Sequence, residues 1–89
     1  MMYNNKKAEK NKVVANKIVN MPSRIAMFRT YVGMTQEEVA HKMGLTQTAV
    51  SAWENGTCFP TDEHVHAFCA AVGSSVPDFV LGKLPSMWF

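Results

Sequence analysis

The sequence predicts an all-α fold of five short helices, and three observations carry that expectation. Apolar residues recur three and four positions apart in successive segments, the spacing of one helical face. The five glycines of this 89-residue chain each fall just beyond such a segment, where helices stop. Serine, threonine or aspartate, the residue types that cap exposed amides, stands before most of the segments, and no stretch alternates convincingly as a strand does. An apolar fraction of 47% suits a small globular core rather than a disordered chain.

The elements follow in order. Residues 1–22 form a leading arm rich in asparagine and lysine, but Val14, Ile18 and Met21 lie at helical spacing, so the arm is flexible or partly helical. Ser23, after Pro22, is the expected cap of a first helix over 24–32, with Ile25, Phe28 and Val32 on one face and Gly33 at its end. "TQEE" at 35–38 is a capping box, in which Thr35 accepts from the amide of Glu38 and the Glu38 carboxylate reaches back. The second helix runs from there to about Met43, buries Val39, Ala40 and Met43, and stops at Gly44. Thr46 caps the third, which ends at Gly56; Asp62 is the expected cap of the fourth, whose Val65, Phe68, Cys69 and Val72 form an inward stripe up to Gly73. "SSVPDFVLG" reads as a last short helix, with proline tolerated in its first turn and Gly82 at its end. The folded domain is expected over 23–82, followed by an apolar tail at 83–89.

The formal charge of +2 hides a strong polarity. Residues 1–29 carry seven basic side chains against one acidic, a net +6, and the remainder carries two against six, a net −4. A basic leading segment suits a polyanion such as DNA, but a lysine-rich end is more often only a solubilising tail. No apolar run of signal-peptide length follows Lys6 and Lys7 before Pro22, and no stretch is long enough to span a membrane. The expected location is the cytoplasm, with Cys58 and Cys69 as reduced thiols. No paired carboxylates, nucleophile elbow or glycine-rich phosphate loop appears, so no enzyme and no cofactor is expected. Cys58, His64, His66 and Cys69 lie near one another in sequence, but their spacing fits no zinc pattern, and no metal site is expected.

Two short helices joined by about three residues have the sequence form of a helix-turn-helix, with Ala40 at the crossing and Val39, Leu45, Val50 and Trp53 locking the angle. At about 100° per residue, Ala49, Val50 and Trp53 share one side of the third helix, and Thr48, Ser51, Ala52 and Asn55 share the opposite side. That outer face carries no large apolar residue. Short polar groups let a helix lie deep in the major groove, where hydroxyls and amides meet base edges and an alanine or threonine methyl meets thymine. A solvated helix face has the same residue types, so the face alone does not decide.

The whole pattern does more. "RIAMFRTYVGMTQEEVAHKMGLTQTAVSAWENG" with "PTDEHVHAFCAAVGSSVPDFVLG" resembles the lambda-type repressor and Cro helix-turn-helix family, also called the Xre family, over roughly two-thirds of the chain. The resemblance implies a five-helix lambda-repressor-like fold that binds double-stranded DNA, with Gln47, Thr48, Ser51 and Ala52 reading bases. It implies phosphate contacts at Gln36 and Asn55, and an Arg29–Glu54 pair joining the first helix to the reading helix, with Arg29 also near phosphate. Where the family often has lysine or arginine after the reading helix, this chain has Thr57, Cys58 and Phe59; Lys6, Lys7, Lys10 and Lys12 of the arm are the expected substitutes on the backbone. Leu84, Met87, Trp88 and Phe89 are the dimerisation candidates, since a twofold dimer reads two half-sites; folding of this tail onto its own core is the competing expectation. The function so implied is a transcriptional regulator, a Cro-like phage or prophage repressor that binds a palindromic operator as a homodimer and occludes a promoter. Two rivals are an antitoxin-type protein of the same fold that neutralises a protein partner and an architectural domain of little sequence preference.

Overall fold

The chain is described by a computed structural model covering residues 18–85. Five helices succeed one another: α1 (Met21–Tyr31), α2 (Gln36–Met43), α3 (Gln47–Glu54), α4 (Asp62–Val72) and α5 (Val76–Leu81), with no strand among the described residues. Lys6, Lys7, Lys10 and Lys12, as well as Met87, Trp88 and Phe89, lie outside the described residues.

Local chemistry sets most of the boundaries. Thr35 Oγ1 accepts from Glu38 N–H at 3.0 Å while Thr35 N–H donates to Glu38 Oε1 at 2.8 Å, the reciprocal box expected from "TQEE". At the other end of α2, Leu45 N–H reaches back to the Ala40 carbonyl at 2.8 Å and Gly44 N–H to that of His41 at 3.1 Å. This paired return requires the left-handed backbone of Gly44, φ 72°, and it turns the chain directly into α3. The same pair of bonds closes each of the other helices.

Three starts differ from expectation. α1 begins at Met21, not after Ser23: Pro22 lies in its first turn, where a fixed φ favours the helix and no amide is lost, so the proline starts the helix rather than standing before it. Asn20 precedes it at φ 54° with no side-chain capping bond. The cap of α4 is Thr61 rather than Asp62, because Thr61 Oγ1 accepts from His64 N–H at 3.1 Å and Thr61 N–H donates to His64 Nδ1 at 3.3 Å. Asp62 instead sits in the first turn, its charge at the positive end of the helix. Thr46 precedes α3 as expected, but its hydroxyl makes no capping bond.

The core is closed by α5. Phe79 is fully buried, meets Phe28 of α1 edge-on with ring centroids 5.0 Å apart and Phe68 of α4 at 5.5 Å. Val39, Ala40, Val50, Trp53, Val65, Cys69 and Val72 fill the remainder, and Ile18 and Met21 are buried with them. Leu84 packs partly against the same core. Arg24 ties the two ends together: its Nη1 donates to the carbonyls of Phe79 at 3.2 Å and Val80 at 2.6 Å, a cation on the C-terminal end of α5. No described helix is long and apolar enough to cross a membrane.

Candidate nucleic-acid interface

Helix α3 is held by its inner face. Val50 and Trp53 are buried, and the Trp53 ring lies 5.1 Å from that of His64, so α3 is seated on both α2 and the start of α4. The outer side then faces solvent: Gln47, Thr48 and Asn55 are exposed and Ser51 and Ala52 half-buried. All four residues expected to read bases therefore lie on the accessible part of one short helix, and none of them is ionisable.

Arg29 binds α3 to α1 through a two-pronged ion pair, with Nε 2.5 Å from Glu54 Oε2 and Nη2 2.9 Å from Glu54 Oε1; its Nη1 donates to the Met34 carbonyl at 2.8 Å. Only 14% of the Arg29 side chain and 9% of that of Glu54 are exposed. Burial pushes the Glu54 carboxyl up, but hydrogen bonds from Arg29 and Gln36 and the charge of Arg29 outweigh it and hold the group below its ordinary value. The hydrogen bond to Glu54 raises Arg29 correspondingly. With its guanidinium so engaged, Arg29 works first as a strut.

Gln36 and Asn55, the two expected phosphate contacts, flank α3. Gln36 Nε2 donates to Glu54 Oε1 at 3.0 Å, and Gln47 Nε2 donates to Gln36 Oε1 at 3.4 Å. Thus Arg29, Glu54, Gln36 and Gln47 form one hydrogen-bonded row from α1 to the first residue of α3, of which the sequence reveals only the first pair. Asn55 Oδ1 accepts from both the amide and the hydroxyl of Thr57, which fixes the ring-like turn after α3 and leaves the amide nitrogen as a donor to solvent.

The described residues carry more acidic than basic side chains. Arg24, Arg29, Lys42 and Lys83 oppose Glu37, Glu38, Glu54, Asp62, Glu63 and Asp78, four against six, and both arginines are bonded within the protein. Amides and hydroxyls, rather than cations, line the outer side of α3. The sequence-adjacent Cys and His residues do not converge: Cys58 is exposed, Cys69 is buried with its thiol pushed up to about 12 by burial, and His64 serves the cap of α4. Among the described residues no group of three metal-ligating side chains comes together.

Comparison with known proteins agrees with this geometry. No curated protein matches the chain. A family model described as Helix-turn-helix matches residues 25–79, more than half of it. Among solved structures, the DNA-binding domain of the P22 C2 repressor is similar at 26% identity and a TM-score of 0.67, over 73% of this chain and 86% of that one. The clp gene regulator ClgR from C. glutamicum is similar at 25% identity and a TM-score of 0.68, over 82% and 95%. The hypothetical transcription factor NHTF from Neisseria, 24% identical with a TM-score of 0.64 over 78% and 80%, shares the fold. With the capped α2, the glycine turn and the seated α3 in place, the chain belongs to the helix-turn-helix family of lambda-repressor and Cro type, a family of DNA-binding transcription regulators.

Proposed function

We propose that the protein is a sequence-specific repressor that binds a palindromic operator as a homodimer and blocks a promoter by occupying it. The observation that carries this reading is the outer face of α3: Gln47, Thr48, Ser51 and Ala52 stand on the accessible side of a helix whose other side is fixed by Val50 and Trp53. Such a face offers an amide, two hydroxyls and methyl groups to base edges, and nothing bulky or charged to hold the helix out of the groove. Gln36 and Asn55 supply neutral donors to phosphates on either side, and Lys6, Lys7, Lys10 and Lys12 supply the cations that the folded domain lacks near α3.

A single reading helix covers one half-site, and a twofold pair covers two about one duplex turn apart. The surface proposed for pairing is the end of α5 together with the apolar tail: Leu81 is 77% exposed, Leu84 is half-buried, and Met87, Trp88 and Phe89 continue the apolar run in the sequence. The test is a binding titration on DNA enriched from a random library against unenriched DNA, at two salt concentrations. The expected result is one palindromic site bound at least about a hundredfold more tightly than random DNA, a preference that Thr48→Arg abolishes while the fold is kept. Equal affinity for selected and random DNA refutes the repressor reading and leaves an architectural role; an unaltered preference in Thr48→Arg refutes the reading face.

A further inference from the structure

Trp53 lies on the buried side of α3 and Gln47 and Thr48 on the exposed one, so a turn of the indole also turns the residues aimed outward. A helix with its side chains is about 10–12 Å across, and a roll of about 10° moves a side-chain tip by about 1 Å. Hydrogen bonds are confined to about 2.7–3.2 Å, so that displacement is enough to lose a contact with a base. α3 lies along α2 and α1, and it meets α4 where the Trp53 indole faces the half-buried ring of His64, with centroids 5.1 Å apart and planes at 41°. His64 is held in place from its own helix: Thr61 N–H donates to its Nδ1 at 3.3 Å, and its own N–H donates to Thr61 Oγ1 at 3.1 Å. A glutamate or glutamine usually completes such a box, through a flexible chain. Here a planar ring completes it, and the bond that caps α4 also sets the plane against which Trp53 rests.

We propose that His64 is a positioning residue for base recognition: its ring, set by the cap of α4, stops the Trp53 indole from turning and so fixes the angle at which α3 presents its outer side. The inference rests on α3 being the groove-facing helix. The other holds on α3 act elsewhere, since Arg29 ties Glu54 toward α1 and Val50 packs into the core one turn before Trp53. An aromatic pair shifts an equilibrium by about two- to twelvefold beyond the area it buries. With glutamine in place of His64 the box of α4 can still close, so the loss falls on selectivity rather than on the fold.

The test measures the ratio of affinities for selected and random DNA in the full chain and in His64→Gln, His64→Phe and Thr61→Ala, at a temperature where thermal unfolding shows each to be folded. His64→Gln should lower the ratio by about two- to twelvefold. His64→Phe restores a ring beside Trp53 and should keep the ratio within about twofold of the parent. Thr61→Ala removes the capping hydroxyl but not the ring; it should lower the thermal midpoint by about 4–8 °C and still keep the ratio within about twofold. A ratio unchanged in His64→Gln, or one that falls as far in Thr61→Ala, overturns the positioning role while the reading face stands. A second readout needs no DNA: with Trp88→Phe in the background, Trp53 is the one tryptophan of the chain, and His64→Gln should move its emission to longer wavelength and increase its quenching by acrylamide. Unchanged emission and quenching overturn the ring contact itself. If the parent selects no site, the repressor reading fails, and the part of His64 in recognition fails with it.

Discussion

Replacing Arg29 by methionine keeps the aliphatic stem and deletes the guanidinium. Three hydrogen bonds go with it, two to Glu54 and one to the Met34 carbonyl. The larger loss is the carboxylate left behind, whose side chain is 9% exposed and which keeps its hydrogen bond from Gln36 but loses its counter-charge. Breaking a fully buried pair from one side costs about 3–5 kcal/mol, and the solvent-facing edge of this pair reduces that to about 2–4 kcal/mol. For a domain of this size, that lowers the thermal midpoint by about 10–25 °C. Urea unfolding followed by far-ultraviolet circular dichroism measures the change, and Arg29→Met with Glu54→Leu should recover much of it, because two apolar groups leave no stranded charge. The acid side gives a second check. Glu54 is held below its ordinary value of 4.5, so its contribution is complete above about pH 4.5 and is lost as pH falls through the lower value of the folded state. The parent should therefore lose stability on acidification in that window, and Arg29→Met should lose less. A variant within about 1 kcal/mol of the parent at neutral pH, with the same acid slope, refutes the view of this pair as the strut between α1 and α3.

Gly82→Ala should cost about 2 kcal/mol, since a methyl at φ 78° would also lie 3.1 Å from Arg24 Nη2. Gly73→Ala, at φ 77° with nothing within 4 Å, should cost about half as much, and equal losses in denaturation experiments would remove the packing part of the argument. In the native state Cys58 should react with a thiol reagent at the rate of an open cysteine, while Cys69 reacts only as the chain unfolds; two equivalents consumed together would contradict its burial. Changing Lys6, Lys7, Lys10 and Lys12 together to glutamine should lower the slope of log affinity against log salt by about 2–4 and leave the site preference intact, and an unchanged slope would take the arm off the DNA.

What could be read in the sequence was what neighbouring residues decide. The capping box of Thr35 and Glu38, the glycine stops and the Val50–Trp53 side of α3 each depend on fewer than a dozen consecutive positions, and each stands where the pattern put it. The start of α1 is ambiguous in the sequence because proline serves both before a helix and inside its first turn, and burial of Ile18 and Met21 depends on a core assembled from distant segments. Thr61 prevailed over Asp62 because His64 completes a box that Glu or Gln usually completes. In the candidate interface, the positions on the outer side of α3 came from helical geometry, whereas the bonds from Glu54 to Gln36 and from Gln36 to Gln47 depend on how closely α2 and α3 cross. Arg24 gave no signal at all, since its acceptors are backbone carbonyls more than fifty residues away.

The contact of Arg24 with α5 also has a kinetic meaning. Closing a ring of 55 or 56 residues costs roughly 3.6 kcal/mol of chain entropy beyond the length-independent part, so the bond from Arg24 to α5 is expected to form after the intervening helices have gathered. An interaction absent from the folding barrier leaves the speed of folding almost unchanged and governs the speed of unfolding. Arg24 is thus the clasp on the lifetime of the native chain: it holds down the short helix that carries Phe79 into the core.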